Sequence, residues 1–256
     1  MTNLRHSPSQ QHVEAHLPAA IRRRLNERAR PSYLRDFIYG AIDGAVTTFA
    51  VVSGVAGAGL SSSVVIILGI ANLIGDGFSM AASNYLGIRA ERELQLRIRR
   101  SERQHIEWHP EGERAEIREI FRQKGFAGDD LDRAVEIITS DVNQWIDTMV
   151  TDEHGLALDG PDPRLAAAMT FVAFIIVGFI PLMAFVWQWL LPDTLENPYL
   201  WSTLLTSAAF FGVGAGKSWF IERPWYREGL ITLAVGGTAA ALAYLAGDLI
   251  GGLLPK

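Results

Sequence analysis

Apolar residues gather into five runs along this chain: Leu34 to Ala58, Ser63 to Ile88, Leu165 to Leu191, Tyr199 to Gly216 and Leu230 to Leu254. A helix of about 20 apolar residues covers the roughly 30 Å hydrocarbon core of a bilayer, so each run is predicted to span one. Charge concentrates before Asp36 and between Arg89 and Arg164. The expected fold is all-α: a polytopic membrane protein with five transmembrane helices and a cytoplasmic three-helix domain between the second and third. The divisions are a polar N-terminal arm over 1–33, spans one and two over 34–88, the helical domain over 89–163 and spans three to five over 164–256.

The second run does not stop where the membrane should. From Ser63 to Glu107 there is no proline, so a continuous helix of about 65 Å is predicted, twice what the hydrocarbon needs. Pro110 ends it. Glu111 to Lys124 forms the next helix, with Gly125 as its C-cap, and Asp129 or Asp130 opens another that runs to Glu153. In this domain Glu102 pairs with His105, Glu113 with Glu116, and Met149 with Glu153, each pair on one helical face. Three helices can turn those faces inward around cations. Faces rich in Glu and Arg are also the ordinary solvated surface of a helix, and spacing alone leaves both readings open. Trp145 and Ile106 are expected as packing anchors.

Carboxylates also lie inside the apolar runs. An aspartate at the centre of a membrane helix costs about 2.5–3.5 kcal/mol, so Asp43 and Asp76 point to a use in the membrane. Counting from Leu34 and Ile88 places Asp43 and Met80 level, each roughly 12–13 Å deep. Asn72, Asp76 and Met80 recur every four residues on one stripe, and Asp36 and Asp43 share a face of the preceding helix. Carboxylate oxygen with one thioether suits a divalent transition metal, though methionine alone is more often a packing residue.

Composition narrows the chemistry. Of 256 residues 49% are hydrophobic and 20% charged, and there is no cysteine, which removes disulfides, thiolate metal sites and cysteine nucleophiles. Basic residues at Arg22 to Arg30, Arg89 to Arg103, and Lys217 with Arg223 and Arg227 fall on one side of five spans, giving a cytoplasmic N-terminus and a non-cytoplasmic C-terminus. The arm lacks the apolar core of a secretory signal, so it is expected to be retained. His6, His12 and His16 suggest a metal-gathering tail, but their irregular spacing favours a solvated, disordered arm, which is the expectation. Gly40 and Gly44 form a GxxxG pair that suits a dimer seam, though the same spacing is common in membrane helices that pack internally. Pro181 should kink the third span, while Trp187, Trp189, Tyr199 and Trp201 form an interfacial belt. GVGAGKS at Gly212 to Ser218 lacks the first glycine of a P-loop, and no nucleic-acid partner is expected.

The runs GAIDG, TTFAVVSGVAGAGLSS and GIANLIGDGFSMAASNYL, with QWIDTM and PDP further on, resemble the vacuolar iron transporter family over most of the chain from Leu34. The resemblance implies a proton-coupled, homodimeric exporter of cytosolic Fe2+ and often Mn2+, with Co2+ and Zn2+ as further candidate ions. It implies no prosthetic group and no enzymatic step. It implies metal binding in the helical domain by Glu102, His105, Glu113, Glu116, Met149 and Glu153, and an ion path along Asp43 and Met80. Asp36, Asn72 and Asp76 are further path or proton-linked candidates. The chain departs from plant members at four places: His105 stands for Glu, Val150 for a second Met, Asn72 for a membrane Glu, and Asp76 for a small residue. Asp76 is therefore expected to serve as the proton-linked acid. A bacterial inner membrane is the expected location, with a vacuolar membrane as the alternative. Glu102-x-x-His105 is also the spacing of di-iron bundles, so a ferroxidase or iron sensor is the alternative reading.

Overall fold

The computed structural model describes residues 16–26, 32–192, 194–221 and 223–253, and all regular structure among them is helical. Residues 1–32 form one unit and 33–256 a second. His6 and His12 of the arm, with Arg28 and Arg30, lie outside the described residues. Helix α1 (Pro18–Asn26) occupies part of the segment expected to be disordered. Its sequence explains the difference: proline is preset for the first helical turn, and the alanines, arginines and leucine that follow favour helix.

In the second unit, α2 (Leu34–Gly57) is the hub. The 47-residue α3 (Ser62–Trp108) returns beside it after a turn at Gly59, whose φ of +66° is the left-handed value that turn needs. At about 70 Å, α3 is the predicted span with its stalk. It ends at His109, and Pro110 opens α4 (Pro110–Gln123) at its first position. The positive φ of Gly125, +96°, then closes α4 as expected.

The predicted single helix from Asp129 to Glu153 is instead three pieces: α5 (Gly128–Thr139), α6 (Val142–Thr148) and a π-helical turn over Met149–Glu153. The break follows from side-chain competition for the backbone. Ser140 Oγ donates to the Ile137 carbonyl at 2.7 Å, and the Asp141 carboxylate accepts from the Asn143 and Gln144 amides as an N-cap. Ile106, Ile117, Leu131, Val135, Trp145, Ile146, Met149 and Val150 make the core of this helical unit, so Ile106 and Trp145 are the packing anchors the sequence led us to expect.

The third apolar run is α7 (Pro163–Gly178), a 3-10 turn at Ile180–Leu182 and α8 (Met183–Leu190), interrupted at Pro181. Ser202 Oγ donates to the Pro181 carbonyl at 2.6 Å, which ties the kink to α9 (Pro198–Ile221). Helix α10 (Trp225–Leu253) closes the bundle. Lys217 Nζ donates to the buried Glu228 carboxylate at 3.0 Å and joins α9 to α10. GVGAGKS lies wholly within α9, whereas a phosphate-cradling loop needs its amides free of a helix.

Among the described residues four helices are long and apolar enough to cross a membrane: α2, α3, the α7–α8 stretch and α10. The expected fourth run, α9, is 24 residues long but is not among them. Ser202, Thr203, Thr206 and Ser207 dilute its hydropathy. The apolar core between these helices joins Ala41, Ala45, Phe49 and Val52 of α2 with Leu73, Phe174, Phe185 and Phe210. Gly40 and Gly44 face into it. A Cβ on either would overlap the backbone carbonyl of Thr170 or Phe174 on α7. The GxxxG pair thus serves the α2–α7 contact within one subunit, not the dimer seam expected of it, because only glycine allows these two backbones to approach so closely.

Candidate metal sites in the helical domain and the membrane hairpin

Helical spacing carries acid into the domain core. Glu102 stands one turn before Ile106 on α3, and Glu113 one turn before Ile117 on α4, so the faces that bury the isoleucines also bury the carboxylates. Glu102 is 4% exposed and Glu113 6%. His105 Nδ1 lies 3.5 Å from Glu113 Oε1, and donor atoms of Glu102, His105 and Glu113 fall within 4.8 Å of one another. A second group of the same tightness is Glu102, Glu153 and His154, with His154 Nε2 3.0 Å from Glu102 Oε1.

The electrostatics suit a cation. Burial, then the charges of Glu116 and Glu102, push the Glu113 carboxyl up to about 7, with His105 pulling the other way. Glu153 is raised by burial and then by Glu116, with His154 opposing. Glu113 Oε2 is buried with no hydrogen-bond partner, a costly state for an oxygen that a bound cation relieves. Glu116 itself is exposed, but its charge reaches both Glu113 and Glu153. Met149 is fully buried within the apolar core at the head of the π-turn. The second Glu-x-x-His copy of a di-iron bundle is missing, since Glu113 is followed at that spacing by Glu116.

In the membrane hairpin the acids are held differently. Asp36 is buried and accepts from Asn84 Nδ2 at 2.8 Å, and the same amide donates to Thr170 Oγ1 at 2.9 Å, linking α2, α3 and α7. Asn72 Nδ2 donates to Asp76 Oδ2 at 2.5 Å, while Asn72 Oδ1 is buried and unpartnered. Asp43 is half-buried. Thr47 hydrogen-bonds back to the Asp43 carbonyl at 2.9 Å. Met80 is partly buried against the apolar core. Asp76 is exposed on α3, and Ile70, Ile74 and Phe78 of the same helix are exposed as well.

Two participants lie outside the set drawn from the sequence. Asn84 continues the Asn72, Asp76, Met80 stripe by one more interval of four, and that continuation was its signal. His154 had none, because it enters through the π-turn: His154 N donates to the Met149 carbonyl at 3.2 Å, an i to i+5 bond. In that wider turn residues four and five positions on both fall near the starting face.

Comparison with known proteins adds an identity to this geometry. The chain is 32% identical over 214 residues to vacuolar iron transporter 1 of Arabidopsis thaliana, covering 82% of this chain and 83% of that protein. It is 30% identical over 225 residues to the vacuolar iron transporter of Toxoplasma gondii, covering 85% and 74%. It is 29% identical over 237 residues to vacuolar iron transporter 1 of Eucalyptus grandis, covering 91% and 88%. These relatives are named as transporters, not enzymes. With the family model described as the VIT family matching residues 34–248 as well, this membrane protein belongs to the VIT family.

Proposed function

We propose that the protein is a proton-coupled antiporter that moves Fe2+, with Mn2+, Co2+ and Zn2+ as further candidate substrates, out of the cytosol. The observation that carries this reading is that one unbroken helix, α3, bears Asp76 and Met80 in its apolar part and Glu102 and His105 beyond it. A separation of 26 positions along α3 puts Asp76 and Glu102 about 39 Å apart. Metal is gathered in the domain by Glu102, His105, Glu113, Glu116, Glu153 and the thioether of Met149, then passes to Asp43 and Met80. Asp36, Asn72 and Asp76 line the approach, and Asp76 takes the proton. Protonation from the acidic far side weakens the carboxylates as ligands and releases the ion, because proton and metal compete for the same oxygens.

We count α9 as the fifth span; its length of about 36 Å suffices, and Thr203 returns its hydroxyl to the Tyr199 carbonyl. Five spans put the basic segments on the cytosolic side, with the domain, and the C-terminus opposite. The exposed Asp76 supports a homodimer, since a carboxylate left against lipid is costly and a second α3 covers it. A bacterial inner membrane or a vacuolar membrane suits this arrangement. A ferroxidase reading has less support, given relatives named for transport and an incomplete di-iron motif.

The test is flux of Fe2+, Mn2+, Co2+ and Zn2+ in proteoliposomes with and without an imposed pH gradient. Wild-type protein is expected to transport with the gradient, and Asp43→Ala to lose nearly all flux. Transport by Asp43→Ala at the wild-type rate, or no wild-type flux of any divalent ion, sinks the proposal.

A further inference from the structure

We propose that His154 is a metal ligand of the helical domain and the residue that biases it toward borderline divalent ions such as Co2+, Fe2+ and Zn2+ over the harder Mn2+. The inference rests on the metal-gathering role proposed for this domain and adds to it a donor that lies outside the carboxylate pattern. Glu102 is common to two three-donor groups, and each contains one imidazole: His105 with Glu113, and His154 with Glu153. Two donors at right angles around an ion with bonds near 2.1 Å stand about 3.0 Å apart. His154 Nε2 and Glu102 Oε1 already stand at 3.0 Å. Glu153 Oε2 lies 3.9 Å from the same nitrogen, so a cation entering between them meets one nitrogen and two carboxylates. Glu113, whose donor atoms group with the same Glu102, has its Oε2 buried without a hydrogen-bond partner, an independent mark of a place that a cation would satisfy. The segment that places His154 is held by two ion pairs at 2.6 Å, Arg99 on Asp147 just before the π-turn and Lys124 on Asp152 within it. Imidazole raises affinity along the order in which Mn2+ comes last, whereas carboxylates alone discriminate little.

The experiment titrates full-length, metal-free protein in detergent with Co2+ and, separately, Mn2+. In His154→Gln we expect Co2+ affinity to fall at least about 10-fold, because removing a ligand costs no less than removing a ligand's outer-shell partner, which lowers affinity about 10- to 100-fold. Mn2+ affinity should change by less than about threefold. The imidazole signal in X-ray absorption at the cobalt edge should weaken relative to wild type. His154→Glu, which restores an oxygen donor, should keep binding Mn2+ while its preference for Co2+ collapses. Unchanged Co2+ affinity and imidazole signal in His154→Gln overturn the proposal and leave His154 as an ion-pair partner of Glu102. A wild-type protein that binds no Co2+ defeats the metal-gathering role itself, an outcome separate from failure of the variant alone.

Discussion

Glu113 is the side chain on which burial and charge act most strongly together. Its carboxyl titrates at about 7 in the fold against an ordinary 4.5, so between those values the folded protein holds a proton that the unfolded chain has lost. Metal-free stability therefore falls as pH rises from about 4.5 to 7 and levels off above it. Thermal unfolding of metal-free protein should show its midpoint dropping across that window, and Glu113→Gln should flatten the dependence. Addition of Co2+ at pH 7.5 should restore the lost stability to wild type, since the ion replaces the proton. The spacing of three that sets Glu102 beside His105 was legible because the helix that carries both is regular. What no count of residues could supply was depth, for Glu113 is buried and Glu116 three positions later is exposed. Burial depends on Ile106 and Ile117 meeting across two helices, a tertiary fact.

At the scale of the element, the packing of α2 depends on the absence of side chains. Gly44 admits the Phe174 backbone, and the obstacle to a Cβ is main chain, which cannot rotate away. Gly44→Val is expected to lower the unfolding temperature by several degrees or abolish recovery of folded protein, a loss of about 1–3 kcal/mol typical of overpacking. Because the contact is intramolecular, the loss should appear equally in detergent dilutions that dissociate any oligomer; destabilisation confined to the dissociated or associated form would place this face elsewhere. The GxxxG spacing announced a close contact in the sequence but not its partner, since α7 and a second α2 offer a glycine pair the same opportunity. Pro181 and Pro110 marked their breaks because a missing amide acts locally. The division at Asp141 was harder to see, as Ser and Asp end a helix only when their side chains win the backbone hydrogen bonds.

At the scale of the whole molecule, α3 spaces the domain cluster from the hairpin acids by about 39 Å, too far for their charges to interact directly at physiological salt. Sites that far apart with no shared partner are expected to contribute nearly additively. Glu113→Ala combined with Glu116→Ala removes two of the domain's carboxylates but leaves Asp43, Asp76 and Met80 in place. In proteoliposomes this double variant should need several-fold more metal for half-maximal flux while its maximal rate stays within about twofold of wild type, as loss of a gathering site that precedes the rate-limiting passage would give. Asp43→Ala should do the reverse, losing maximal rate at any metal concentration. Combining all three substitutions should reproduce the Asp43→Ala rate and no less. If the domain variant instead abolishes transport even at saturating metal, the ion cannot enter the hairpin without passing through the Glu102 cluster, and the domain is an obligatory station on the path.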